Sequence, residues 1–316
     1  MLGDAGQPRD DGERERNHAL LLVRGFAALV ALSFGLIVLG ALVRANGAGL
    51  ACPDWPLCFG EFVPQMDLRV AFEWSHRVLA GGISMGFAAL ALLTLRREPT
   101  RRVAGIGIGV AACLLGLQIL LGALTVWMRL TAWTVTAHLL TGNAFALTLA
   151  LIACALRDHG VVRPPRSRPT GAACGLVTTS AALLALQITL GGLVASRFAG
   201  LACPDWPSCS GGVWFPSWEG NVGLQLMHRL NGYALVAVLL AAAVASRNTP
   251  PLRTWTRVAL GLGIAQVIVG VANVWLQIPI EVTGLHSALA AALVLSITLA
   301  ARYAWPGPAA PAESRC

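Results

Sequence analysis

Four histidines carry the chemistry this sequence offers, and a duplication picks them out. The octapeptide Gly-Leu-Ala-Cys-Pro-Asp-Trp-Pro stands at residues 49–56 and again at 200–207, each copy followed shortly by a second cysteine. Leu42-Val43 recurs as Leu193-Val194, His76-Arg77 as His228-Arg229, and Gln118, Gly122, Trp127 and His138 as Gln266, Gly270, Trp275 and His286. Self-similarity on this scale outranks any single motif. It sorts the six histidines into two equivalent pairs, His76 with His138 and His228 with His286, and leaves His18 and His159 in charged flanks. Two imidazoles on facing helices at one depth converge on a point inside a helical bundle, which suits axial ligation of a heme iron. Zinc asks for more ligands, and no Cys, Asp or Glu falls in the same turns of both halves to supply them. The bland reading, four hydrogen-bonded packing histidines, leaves their shared depth and their pairing by duplication unexplained.

Other groups gather around these histidines. Glu73 precedes His76 by three residues, whereas Gln225 precedes His228 by three. The first half therefore has a carboxylate on its histidine's helical face and the second a neutral amide. Such a carboxylate moves protons or stabilises a cationic intermediate, or else answers the positive end of a helix. Glu281 has no counterpart in the other half and fits the helix-end role. Arg77 and Arg229 directly follow repeat histidines; each suits bidentate pairing with a heme propionate, or snorkelling to lipid headgroups. Cys52 with Cys58, and Cys203 with Cys209, sit in proline-rich loops where a local disulfide fits, with a structural staple and thiol exchange both open. Cys113, Cys154 and Cys174 have no repeat partners and read as small buried side chains. Ala80, Gly81, Gly82, Gly232 and Ala234 leave room either for a flat macrocycle or for close helix packing.

The elements that position these groups follow from composition. Hydrophobic residues make up 56% of the chain and charged residues 12%, against about 45–50% and about 25% in soluble domains. Apolar stretches near the roughly 20 residues that span a bilayer lie at about 22–43, 73–95, 103–126, 134–156, 171–195, 225–246, 257–276 and 283–304. The fold class is thus an all-α integral membrane protein of eight transmembrane helices. They form two tandem four-helix bundles, related by a pseudo-two-fold axis because each repeat holds an even number of spans. The divisions are a tail at 1–21, an N-terminal bundle at 22–156, a linker at 157–170, a C-terminal bundle at 171–304 and a tail at 305–316. Arginines at 9, 14, 16, 96, 97, 101, 102, 157, 163, 166, 168, 247 and 253 all fall on one side of this topology. The positive-inside rule makes that side cytoplasmic, with both termini inside and both cysteine loops outside. These loop arginines account for the net charge of +8, so no nucleic-acid partner follows from it. Span 1 is too long an apolar run for a typical cleaved signal, and its repeat partner lies mid-chain.

Glu73-Trp74-Ser75-His76-Arg77, Ala137-His138, Met227-His228-Arg229, Leu285-His286-Ser287 and the two Cys-Pro-Asp-Trp-Pro-x-Cys loops resemble the heme A synthase family over nearly the whole chain. The resemblance implies a plasma or inner membrane enzyme that oxidises a methyl group of heme O to a formyl, through successive hydroxylations, to give heme A for cytochrome oxidase. It implies heme O between His76 and His138, Glu73 as the catalytic carboxylate, and Cys52/Cys58 as the functional outer-loop pair. A resident heme b, with its iron between His228 and His286, is implied for the C-terminal bundle. The partners implied are heme O, the heme O synthase that supplies it, an electron donor and membrane lipid, with a homo-oligomer left open. The rival reading is a non-catalytic diheme b-type cytochrome. A gated heme transporter and a membrane thiol oxidoreductase rank below both.

Overall fold

The computed structural model describes residues 7–159 and 169–305, with side chains from residue 13 onward. Most of the expected linker and of the C-terminal tail, at 160–168 and 306–316, and residues 1–6 of the N-terminal tail lie outside the described residues. The chain folds into α1 (Gln7–Ala45), α2 (Leu68–Arg96), α3 (Glu98–Trp127), α4 (Ala132–Asp158), α5 (Gly171–Ser196), α6 (Gly220–Ala245), α7 (Pro250–Trp275) and α8 (Ile280–Ala304). All eight are long and apolar enough to cross a membrane. Their outer faces are apolar too: Ile106 and Met85 are 89% and 71% exposed. A soluble helix would cover such side chains, whereas a lipid-facing one has no need to.

Two compact units, Met1–Arg163 and Pro164–Cys316, hold four helices each. In the first unit α1 and α3 each pack against both α2 and α4, so α2 and α4 occupy opposite corners of a ring. The second unit repeats the scheme, with α6 and α8 at opposite corners between α5 and α7. Phe87 of α2 and Phe145 of α4, both buried, meet edge to face at 5.6 Å between ring centroids and close the first bundle's axis beyond its histidines. Leu239 and Leu293, both buried, stand at the matching places in the second.

Local chemistry sets the helix ends. Asp67 caps α2 by accepting the Val70 N–H at 2.9 Å, and Thr170 caps α5 through the Ala173 N–H at 3.2 Å. Prolines occupy the first turn of α3 and α7, where the missing N–H costs nothing. The turns after α3 and α7 each hold two consecutive residues at positive φ, Arg129 with Leu130 and Gln277 with Ile278. Side-chain-bearing residues rarely enter this region, so its appearance at matching places marks a shared turn. Gly49 and Gly200, which open the octapeptide, make room for it. A Cβ at Gly49 would stand 3.1 Å from a Leu130 methyl, and one at Gly200 only 2.5 Å from an Ile278 methyl.

Several helices begin earlier than hydropathy indicates, with α1 starting at Gln7 rather than residue 22, and α7 at Pro250 rather than 257. Their first turns are polar or proline-bearing, so a hydropathy reading leaves them out. The four repeat histidines therefore lie six to eight residues into their helices, not in the first turn. At 1.5 Å per residue this is about 9–12 Å of helix. Cys113 also departs from expectation: it is exposed on the outside of α3, while Cys154 and Cys174 are half-buried.

Candidate functional site

Each repeat histidine is set against a glycine on the neighbouring odd-numbered helix. A Cβ added at Gly40 (α1) would stand 3.1 Å from Cε1 of His76 (α2), and one at Gly122 (α3) 3.2 Å from Cε1 of His138 (α4). The second unit repeats this at Gly191 with His228, 3.2 Å, and at Gly270 with His286, 3.4 Å. Any side chain at these glycines would press on the Cε1–Nδ1 edge of the ring. The packing turns the other nitrogen inward. Nδ1 of His76, His138 and His286 is sealed in without a hydrogen-bond partner, while Nε2 of His138 meets the Gln118 amide at 3.3 Å. His76 lies within electrostatic reach of His138, and His228 of His286. Opposite corners of each ring thus carry one imidazole apiece, with the Nδ1 edge packed against a glycine of the neighbouring helix.

The cysteine loops fold back onto the same helices. Cys52–Cys58 and Cys203–Cys209 are disulfides, with Cα–Cα distances of 4.7 and 4.3 Å, and all four cysteines are buried. Arg77 reaches from α2 into the first loop. Its Nη1 donates to the carbonyls of Asp54 at 2.6 Å and Leu57 at 2.5 Å, and its Nη2 to the Cys52 carbonyl at 3.1 Å and Glu73 Oε1 at 2.5 Å. Arg229 does the same in the second loop, donating to Asp205, Ser208 and Cys203 carbonyls at 2.9, 3.2 and 2.6 Å. Both arginines tie the disulfide loop to the helix that bears the histidine. For Arg77 this engages four of the five guanidinium N–H groups and leaves Nε–H for a further acceptor.

Glu73 is 5% exposed and accepts twice, from the Cys52 N–H at 2.8 Å and from Arg77. A carboxylate one helical turn from His76 is thereby wired to the backbone of the disulfide. Gln225, equally buried, donates instead to the Gly200 carbonyl at 3.1 Å. Inside the first loop the Asp54 carboxylate accepts the Gly60 and Phe59 N–H groups at 2.7 Å each. These donors, Gly60 first, hold its pKa below the usual aspartate value. Trp55 and Trp206 pack edge to face on Trp127 and Trp275 at 6.0 and 5.8 Å, so each loop also rests on the end of an odd-numbered helix.

Two opposed imidazoles, set back by glycines, fit a ligand that brings its own equatorial donors and asks the protein only for axial ones, which in the first unit would take the place of the Gln118 amide at His138 Nε2. Among the described residues no group of three or more His, Cys, Asp or Glu side chains converges. A heme meets this description: its macrocycle supplies four nitrogens to the iron and leaves two positions for histidine. Gly81 and Gly82 do not abut the rings: a Cβ on either would have no other protein atom within 4 Å. The glycines that do so include Gly40 and Gly191, which stand in register two residues before the repeated Leu-Val and were legible in the duplication. Gln118, a repeated residue, has its Nε2 3.3 Å from His138 Nε2. Gln187 and Asn231, near His228, carry no repeat signal and are visible only in the fold.

Comparison with known proteins accords with this geometry. The profile of the family described as "Cytochrome oxidase assembly protein" matches residues 25–72 and 68–298. A protein named Heme A synthase from Shewanella oneidensis is 28% identical over 311 residues, covering 85% of this chain and 92% of its own. Heme A synthases from Sinorhizobium medicae and Methylobacterium sp. are 26% and 29% identical, each covering more than nine-tenths of both chains. With its paired histidines in two four-helix units, the chain belongs to the cytochrome oxidase assembly protein family, that of the heme A synthases.

Proposed function

We propose that this protein is a multi-pass membrane oxidoreductase that converts heme O to heme A, oxidising a methyl group of the substrate to a formyl through successive hydroxylations. The observation that carries the reading is a symmetric histidine frame with an asymmetric carboxylate: Glu73 in one half, Gln225 in the other. The first bundle takes heme O, with His76 and His138 as its axial ligands. Glu73, wired to Cys52 N–H and Arg77, is the group that accepts protons released as the methyl carbon is oxidised. Arg77 supplies the counter-charge that keeps the carboxylate in place, and its remaining Nε–H is the donor it offers to a propionate. Arg229 would offer the matching propionate donor in the second bundle, where His228 and His286 would hold a resident heme b. When bound, that heme supplies one-electron transfer, coupling the reacting site to an electron partner. The buried Cys52–Cys58 disulfide shapes the outer loop over the substrate half, and its link to Glu73 makes it the pair that bears on activity. The arginine pattern supports a plasma or inner membrane orientation with both termini on the cytoplasmic side and both disulfide loops outside.

The likeness of the two histidine clamps favours one rival, a non-catalytic diheme cytochrome. The two separate on one experiment. Glu73→Gln and wild type are expressed alongside a heme O synthase, and the extracted hemes are resolved by chromatography. Loss of most heme A with accumulation of heme O is the expected outcome. A wild-type yield of heme A from the variant refutes the role of Glu73, and absence of heme A in both favours the cytochrome.

A further inference from the structure

His228 differs from its three counterparts in one respect: its Nδ1 has a partner. Gln187 of α5 places Nε2 3.2 Å from His228 Nδ1 and donates to the His228 carbonyl at 3.1 Å. Asn231, one turn after His228, donates from Nδ2 to Gln187 Oε1 at 2.7 Å and to the Leu183 carbonyl at 3.0 Å. Gly232 makes the space, since a Cβ there would stand 3.2 Å from Gln187 Nε2. The relay from α5 backbone through two amides to the ring is therefore complete, with every bond formed between half-buried groups.

The first half has none of it. In the register that equates Gly40 with Gly191, Leu36 stands for Gln187; in the register that equates His76 with His228, Leu79 and Ala80 stand for Asn231 and Gly232. Nδ1 of His76 is accordingly sealed in with no partner, as are those of His138 and His286. A hydrogen bond at the far nitrogen of a metal-binding imidazole fixes the ring's orientation and tautomer and tunes its basicity. A ligand lacking that bond is held by packing alone.

We propose that Gln187, supported by Asn231, is a positioning residue that makes His228 the fixed axial ligand of a resident heme. Its replacement by leucine in the first half leaves His76 a ligand from which a substrate heme can depart. The inference rests on the reading above that the second half holds heme b and the first half heme O. It concerns the ring's partner, not the identity of the ligand. With iron on Nε2 the ring proton sits on Nδ1, so the Gln187 amide would turn its Oε1 to accept that proton and Asn231 would turn its own Oδ1 to accept from Gln187 Nε2. A leucine offers neither donor nor acceptor and a carboxylate only acceptors, so the two substitutions bracket the wild type.

The test uses full-length protein purified in detergent, with wild type, Gln187→Leu, Gln187→Glu, Asn231→Leu and His228→Ala compared. Heme content, low-temperature EPR and the midpoint potential of the signal that disappears in His228→Ala are recorded. Gln187→Glu, strengthening the pull on the ring proton, is expected to shift that potential downward. Gln187→Leu is expected to shift it upward and to change the EPR g-values, with Asn231→Leu moving the same way by less. Wild-type potential and g-values in both Gln187 variants overturn the proposal while leaving the function of the second half standing. A wild-type protein with no heme signal that depends on His228 overturns the functional reading itself. Should Gln187→Leu fail to accumulate, Gln187→Glu and Asn231→Leu carry the same comparison.

Discussion

Arg77 and Arg229 stand at matching places and hold matching loops, yet their removal is expected to cost different amounts. Arg77 is paired with a buried carboxylate, and leucine in its place leaves Glu73 uncompensated, a loss of roughly 3–5 kcal/mol. Arg229 donates to carbonyls alone, and Gln225 beside it is neutral. Its loss forfeits hydrogen bonds worth about 1–3 kcal/mol in all. Thermal unfolding of Arg77→Leu and Arg229→Leu in detergent reads this difference; equal destabilisation contradicts the assigned pairing. The importance of both arginines was legible in the sequence, because each follows a repeat histidine. Their loop contacts were not, since no periodicity records how a cysteine loop folds back on a helix some 20 residues away. The tie from Glu73 to the Cys52 N–H was hidden for the same reason.

At the scale of elements, the odd-numbered helices supply glycine faces and the even-numbered ones supply histidines. This division makes a specific demand on α5. A leucine at Gly191 would force its side chain into the His228 ring, whose Cε1 lies 3.2 Å from the position of the added Cβ. At Gly81 an added Cβ would have no other protein atom within 4 Å. Gly191→Leu is therefore expected to lower the heme-to-protein ratio severalfold while far-UV circular dichroism stays helical, and Gly81→Leu to change neither. Full heme content in Gly191→Leu contradicts the cradle. All eight helices could be read from hydropathy because each apolar run approaches the length of a bilayer crossing. The extra turns could not, since capped, polar or proline-bearing segments such as the start of α7 carry no apolar signal. Cys113 lies on the outer face for a related reason. In a membrane helix an apolar residue faces lipid as readily as the bundle interior, so hydrophobicity alone does not tell inside from outside.

Across the whole molecule, a duplicated frame carries different residues at matching places beside its histidines. The frame consists of the histidines, their glycines, the disulfide loops with their arginines, and the paired left-handed turns. Among the many differences between the halves, three stand beside the first histidine of each pair: Glu73 against Gln225, Leu36 against Gln187, Leu79 against Asn231. The repeat made the frame legible without coordinates. Of the departures, only Glu73 announced itself, because a carboxylate among apolar residues stands out whereas Gln187 reads as an ordinary polar residue until its partners are seen. The rings α1–α4 and α5–α8, with their histidines at opposite corners, needed the fold.

The claim on which the rest depends is that each bundle holds its own heme between two opposed imidazoles, one resident and one passing through. The most direct measurement is the identity and amount of heme bound to wild type, His138→Ala and His286→Ala, read by pyridine hemochrome and chromatography after expression with heme O available. His286→Ala should lose heme b selectively and still carry heme O, while His138→Ala should keep heme b and lose heme O and heme A. Parallel loss of both hemes in properly folded variants, or retention of both, would contradict two independent histidine sites.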